Sequence, residues 1–169
     1  MNKYAVVFGG ATNDVTTKEY KDTVILGNIL ADNGYCVKNG GYYGIMEAVS
    51  KGVFEKNGYS IGYTCKTFKT IKGNSYLKET IVSENIYERL KFLIDDSDLF
   101  VVQKGGVGTL SELFLTLDVI RKKKEKPKVV LIGNFWNKIF YEMSDLISKE
   151  EMNLFSIISD VKEIKNFLN

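Results

Sequence analysis

Gln103-Lys-Gly-Gly-Val-Gly-Thr-Leu-Ser-Glu112 joins an apolar run, Leu99-Phe-Val-Val102, to an amphipathic pattern that predicts a helix from Thr109 to about Lys124. Strand, glycine turn and helix in that order form the repeating unit of an α/β fold. The three glycines let backbone N–H groups converge on one point, and the helix aims the positive end of its dipole at the same point. The stretch therefore reads as an anion site, with phosphate the best fit. It also sets a carboxylate, Glu112, one turn into the helix.

The same alternation extends in both directions. Tyr4 to Phe8 reads as a first strand, followed by a helix from about Thr17 to Asn33 that stops at Gly34. Tyr35 to Lys38 is a second strand, Asn39-Gly-Gly-Tyr-Tyr-Gly44 a loop, and the next helix runs to about Lys56. Tyr59 to Thr64 is a third strand, and residues 66 to 82, with little periodicity, read as a long loop over the pocket. Ser83 is the expected cap of a helix reaching about Asp96, with Ile86, Leu90, Leu93 and Ile94 as its core stripe. Beyond the strand at Asp98 to Gln103, the pattern predicts a strand at Lys128 to Ile132, a helix near Trp136 to Ser148, a short strand near Phe155 to Ile158 and a closing helix from Ser159. Near-continuous apolar strands separated by helices predict a Rossmann-like three-layer α/β/α domain with a mainly parallel sheet, spanning residues 1–169 as one unit.

In such a fold, ligands bind outside the carboxyl ends of the strands. Three glycine-bearing loops fall there: Gly9-Gly-Ala-Thr12, Asn39 to Gly44, and Lys104 to Thr109. Each alone reads equally well as a turn, but their shared position after successive strands points to one nucleotide-type site. The first loop lacks GxGxxG and no acidic residue closes the second strand at Val37-Lys38-Asn39, which disfavours NAD. No glycine loop carries Gly-Lys followed by Ser or Thr, so a triphosphate P-loop is also disfavoured.

Composition narrows the chemistry further. Lys+Arg 23 against Asp+Glu 21 gives a net charge of +2, which calls for neither nucleic acid nor an anionic membrane as partner. The basic run Arg121-Lys-Lys-Lys-Glu-Lys126 falls at a predicted helix end, where cations are solvated and complement the dipole. No transmembrane-length apolar stretch or signal peptide is visible, and Cys36 and Cys65 show no CxxC pattern; the reading is a cytoplasmic protein with reduced core cysteines. With no histidine, any catalysis rests on carboxylates, Arg, Lys, Tyr or backbone dipoles; a carboxylate-only Mg²⁺ site stays open, but no compact acidic cluster beyond Asp95-Asp96 and Asp98 suggests one, and no metal site is expected.

At the level of motifs, Lys104-Gly-Gly-Val-Gly-Thr-Leu-Ser-Glu112 resembles the PGGxGTxxE signature of the Lonely Guy family, cytokinin riboside 5′-monophosphate phosphoribohydrolases. Phe8-Gly-Gly-Ala11 stands where that family has a Gly-Ser loop, and Gly40-Gly-Tyr-Tyr-Gly-Ile-Met46 is similar to its GGGxxGLM. Arg89 precedes Glu112 by 23 positions, the interval between the family's essential Arg and its signature Glu. The resemblance runs to about Ile132. It implies a Rossmann-like fold, a homodimer, no cofactor, and cleavage of a nucleoside 5′-monophosphate, AMP-like or cytokinin-like, to free base and ribose 5-phosphate. It further implies that Arg89 and Glu112 are the catalytic pair, that Gly105, Gly106, Gly108 and Thr109 hold the phosphate, and that Gly9, Gly10, Gly40, Gly41, Gly44 and Met46 complete the nucleotide site. Four positions depart from the pattern: Lys104 for proline, Ser111 for a commonly acidic neighbour, Asn39 for the first glycine of the second loop, and Leu90 for the lysine after the essential Arg.

From the residues alone, both members of the pair have a second reading. Arg89 lies at the edge of an apolar stripe, where a permanent charge is either answered by an anion or snorkels to solvent. Thr109-x-x-Glu112 is also a capping box, in which the carboxylate satisfies a backbone N–H. A non-catalytic nucleotide or cofactor binder, a sensor or carrier of the same Rossmann-like group, is the alternative function.

Overall fold

The computed structural model describes residues 3–12 and 14–168. Its elements run β1 (Lys3–Phe8), α1 (Lys18–Asp32), β2 (Tyr35–Asn39), α2 (Ile45–Glu55), β3 (Ser60–Cys65), β4 (Glu79–Ser83), α3 (Ile86–Ile94), β5 (Leu99–Val102), α4 (Val107–Ile120), β6 (Lys128–Ile132), α5 (Phe135–Glu142), α6 (Lys149–Met152) and β7 (Ser156–Ile158), followed by a 3₁₀ helix at Val161–Phe167.

The seven strands form one sheet in the order β4-β3-β2-β1-β5-β6-β7, with every pairing parallel. Strand alternation divides the apolar residues between two faces. Ala5 and Val7 point into a core shared with Leu26 and Leu30 of α1, Val49 and Val53 of α2 and Ile164 of the 3₁₀ helix. Val6 and Phe8 point into the other, with Leu93 of α3, Leu113 and Ile120 of α4 and Trp136 and Phe140 of α5. The result is the three-layer α/β architecture expected from the sequence.

From β1 the chain moves outward through β2, β3 and β4, then crosses back to place β5 on the other side of β1. The strand order reverses between β1 and β5, and the connections leaving their carboxyl ends diverge there. That crevice lies between the Gly9-Gly10 loop and the Gln103–Gly106 loop.

Several boundaries differ from the sequence reading. Residues 66 to 82 are not all loop, because Glu79–Ser83 pairs with β3 as an edge strand. The cap of α3 is Asn85, whose side chain accepts from the N–H groups of Tyr87 and Glu88, and not Ser83, which ends β4. Helix α4 starts two residues early and ends at Ile120, so Lys122 to Lys124 lie beyond it, while Arg121 and Lys122 bond Asp118 at the surface. The helix expected from Trp136 to Ser148 ends at Glu142, and the closing segment is 3₁₀ rather than α. Among the described residues no helix is long and apolar enough to cross a membrane. Both cysteines are free and buried, and burial pushes the Cys36 thiol up to about 11.

Candidate active site

The three glycine loops meet at the carboxyl edge of the sheet and are tied together by backbone hydrogen bonds. Gly10 donates its N–H to the Lys104 carbonyl at 3.0 Å and accepts from the N–H of Ile45 at 3.0 Å, so one residue of the first loop holds the other two. Gly44 permits this contact: its φ is +66°, and a Cβ there would stand 2.5 Å from the Gly10 carbonyl oxygen.

The second loop is braced from beneath. Asn39, fully buried, accepts from the Gly41 N–H at 2.8 Å and donates to Ser50 Oγ at 2.9 Å, so this departure from the family pattern supports the turn. Lys38 occupies the position where a dinucleotide fold carries its ribose-binding acid. Its ammonium is buried and donates to the carbonyls of Phe92 and Asp95 and to Ser97 Oγ, at 3.1, 2.8 and 3.2 Å. Burial holds its pKa below the ordinary lysine value. The contacts satisfy the carboxyl end of α3, the helix that carries Arg89.

Arg89 lies on the buried side of α3, not at the edge of its stripe, and is 5% exposed. Its guanidinium is fixed in three directions: Nε donates to the Tyr63 carbonyl at 2.6 Å, Nη2 to the Gly40 carbonyl at 3.3 Å, and Nη1 to Glu112 Oε1 at 3.4 Å. This geometry removes the snorkelling reading. Gly40 is needed for close approach, since a Cβ there would fall 2.0 Å from Arg89 Nη2 and 2.6 Å from Met46 Sδ. Gly40→Ala is therefore expected to displace the guanidinium and lower any activity that depends on it by about tenfold or more, with a smaller effect on stability; activity assays alongside thermal melts check this.

The capping box that Thr109-x-x-Glu112 offered as a second reading is absent. The N-cap of α4 is Gly106, without a side-chain cap bond, and Thr109 lies inside the first turn. Glu112 is thus released from that role, and its carboxylate turns to Arg89. Desolvation raises the Glu112 pKa from its ordinary 4.5 to about 7, against the opposing pull of Arg89.

The pair opens onto a cavity of about 400 Å³. Gly9, Gly10, Met46, Arg89, Gly106, Gly108, Thr109 and Glu112 of the expected site line it. Gly44 and Gly105 line an adjoining cavity of about 410 Å³, which shares Gly10, Ala11 and Gly106 with the first. Gly40 stands behind Arg89, and Gly41 packs on Gly62. The first turn of α4 presents Gly106, Val107, Gly108 and Thr109 to the cavity, and a helix start leaves its first N–H groups without helical partners.

The structure adds residues that the sequence reading missed. Phe68 lines the cavity from the loop after β3, next to Tyr42, and Tyr63 contributes its carbonyl to Arg89. Ile86 and Leu90, expected in the core, are half-buried and form part of the cavity wall. No local motif marks Phe68; its role depends on a fold-back that composition does not encode.

The architecture is that of a Rossmann-like α/β protein with its loops gathered at the switch point. The chain belongs to the SLOG cluster4 family, whose profile matches residues 2–160. It is 30% identical over 128 residues to an uncharacterized protein of Archaeoglobus fulgidus, covering 75% of this chain and 82% of the relative. It is 34% identical over 92 residues to the cytokinin riboside 5′-monophosphate phosphoribohydrolase of Mycobacterium tuberculosis, covering 53% of this chain and 49% of that protein. The chain thus spans about half the length of that enzyme, and the resemblance to the Lonely Guy family holds. Among solved structures, the molybdenum cofactor binding protein from the phototrophic bacterium Rippkaea orientalis shares the fold, with a TM-score of 0.79 and 23% identity over 99% of this chain and 96% of that one.

Proposed function

We propose that the protein is a nucleoside 5′-monophosphate phosphoribohydrolase, adding water across the N-glycosidic bond of an AMP-like or cytokinin-like nucleotide to release free base and ribose 5-phosphate. The observation that carries this reading is the buried Arg89–Glu112 pair, 3.4 Å apart, in a cavity that also contains the N-terminal turn of α4.

In this reading the 5′-phosphate sits against Gly105, Gly106, Gly108 and Thr109, where unpaired N–H groups and the helix dipole favour an anion. Gly9, Gly10 and Gly44 shape the opposite wall. Cleavage of the C1′–N bond develops positive charge on the ribose, as in other glycosyl transfers. The Glu112 carboxylate stabilises that charge and takes a proton from the attacking water, while the base leaves with its bonding electron pair and is protonated. Arg89 clamps ribose or phosphate oxygens with the N–H groups its anchors leave free, and holds Glu112 in place. The chemistry requires no cofactor.

The reading includes a single domain over residues 1–169, a cytoplasmic location and a homodimer. Exposed apolar side chains on α3 and α4, Tyr87, Val107 and Leu115, support the last of these. Incubating the pure protein with a panel of nucleoside monophosphates and measuring free base tests the activity directly. Release from at least one of them, and none from the matching nucleoside, is the expected result.

A second reading is favoured by the whole-chain structural match, since the R. orientalis structure is that of a cofactor-binding protein. On that reading the cavity holds a phosphorylated ligand without cleaving it. Tight monophosphate binding with no base release over long incubation would select it.

A further inference from the structure

We infer that Phe68, braced by Tyr42, forms one wall of a stacking slot for the planar base of the bound nucleotide, favouring a purine over a pyrimidine; this rests on the phosphoribohydrolase reading for the placement of the sugar. Phe68 sits in an otherwise polar connection, Lys66-Thr-Phe-Lys-Thr70, and keeps 41% of its surface exposed. An exposed phenylalanine in a loop is unremarkable alone. This one is held in place. The Tyr42 hydroxyl donates to the Thr70 carbonyl at 3.1 Å and accepts from the Cys65 N–H at 3.0 Å, Thr64 Oγ1 donates to the Ile71 carbonyl at 2.8 Å, and the Phe68 N–H donates to the Cys65 carbonyl at 3.2 Å. The loop is folded back over the end of β3, and its phenylalanine lines the same cavity as Glu112.

The two rings lie 5.8 Å apart, tilted by 50°. Arg89 Cζ stands 5.9 Å from the Tyr42 ring and 5.7 Å from that of Phe68. The guanidinium therefore lies between the aromatic wall and the carboxylate, within cation–π distance of both rings and hydrogen-bonded to Glu112 through Nη1. A nucleotide whose phosphate lies at the start of α4 and whose C1′ lies at Glu112 has its base attached at that carbon. The apolar lining available to a base, Met46, Ile86, Leu90 and the open part of the Phe68 ring, belongs to the same cavity. A flat heterocycle is the chemistry that such a wall recognises, and a two-ring base covers more of it than a one-ring base.

The test compares AMP, CMP and ribose 5-phosphate by calorimetry in the Glu112→Gln background, where turnover is expected to be slowest, with and without Phe68→Ala or Phe68→Trp. The expected result is AMP tighter than CMP and ribose 5-phosphate, a loss of about 5- to 100-fold in AMP affinity on Phe68→Ala, unchanged ribose 5-phosphate affinity, and recovery with Phe68→Trp. Equal weakening of AMP and ribose 5-phosphate, no change in either, or no AMP preference at the outset would each overturn the slot. Base release by the wild-type protein is read separately. Release with the slot disproved leaves the enzyme reading standing, and an intact slot without release removes the enzyme reading alone.

Discussion

Glu112→Gln is expected to reduce free-base release by about two orders of magnitude or more, with monophosphate binding largely retained. The amide keeps the shape and the hydrogen-bond acceptor facing Arg89 but carries no charge and takes no proton. Helix α4 loses no cap, because Glu112 does not cap it. With burial already outweighing the attraction of Arg89 in setting the Glu112 pKa, the substitution should not destabilise the protein above pH 7. The pH dependence gives an independent check. If the ionised carboxylate is the working form, kcat/KM of the wild-type protein rises with pH through about 7 and then levels. Stability runs the other way. The native pKa lies above the unfolded value, so the stability contributed by proton binding at Glu112 is fully present below pH 4.5 and is lost as pH rises through about 7. The Gln variant should lose both dependences. Full activity in Glu112→Gln would remove Glu112 from the chemistry.

Arg89→Lys is expected to cost at least as much activity, and stability as well. Three N–H directions of the guanidinium are committed to the Tyr63 carbonyl, the Gly40 carbonyl and Glu112. One ammonium cannot reach all three, so buried acceptors lose their donors at about 1–3 kcal/mol each. Measured kcat/KM should fall by about two orders of magnitude or more, and the denaturant midpoint should drop in the same variant. Glu112→Gln is expected to show the kinetic loss without the stability loss, so the two variants separate the pair into a chemical and a positioning member. An Arg89→Lys protein with wild-type turnover would show that a single positive charge suffices.

The fold was legible in the sequence because its signals are local. Each apolar run of β1, β2, β3, β5 and β6 is bounded by glycine, an amide side chain or a charge, and the three glycine loops follow their strands closely. The edge strand β4 was not legible. Glu79-Thr-Ile-Val-Ser83 is mostly exposed and follows a long polar stretch, so no burial pattern announces it. The site was partly legible. Thr109-x-x-Glu112 fits both a capping box and a free carboxylate, and the decision lies with where α4 begins, at Val107, which puts Thr109 within the helix. Arg89 stood out as a charge beside an apolar stripe, yet its anchors, the carbonyls of Gly40 and Tyr63, come from a distant loop and a distant strand and leave no trace in its own neighbourhood. Phe68 was invisible for the same reason.

The pairing of β1 with β5 brings Ala5 opposite Leu99, and the Gly10 N–H meets the Lys104 carbonyl across the same junction. Closing so long a loop carries an entropic cost that neighbouring contacts cannot offset until both strands are in place, and such non-local pairings slow folding. A chain that has formed β1, α1, β2 and α2 already has much of one core face but no crevice, because half of the crevice's floor belongs to residues near 100. Completion of the crevice thus waits on the pairing of β1 with β5. A ligand that binds in the crevice would therefore stabilise only molecules in which that pairing is complete.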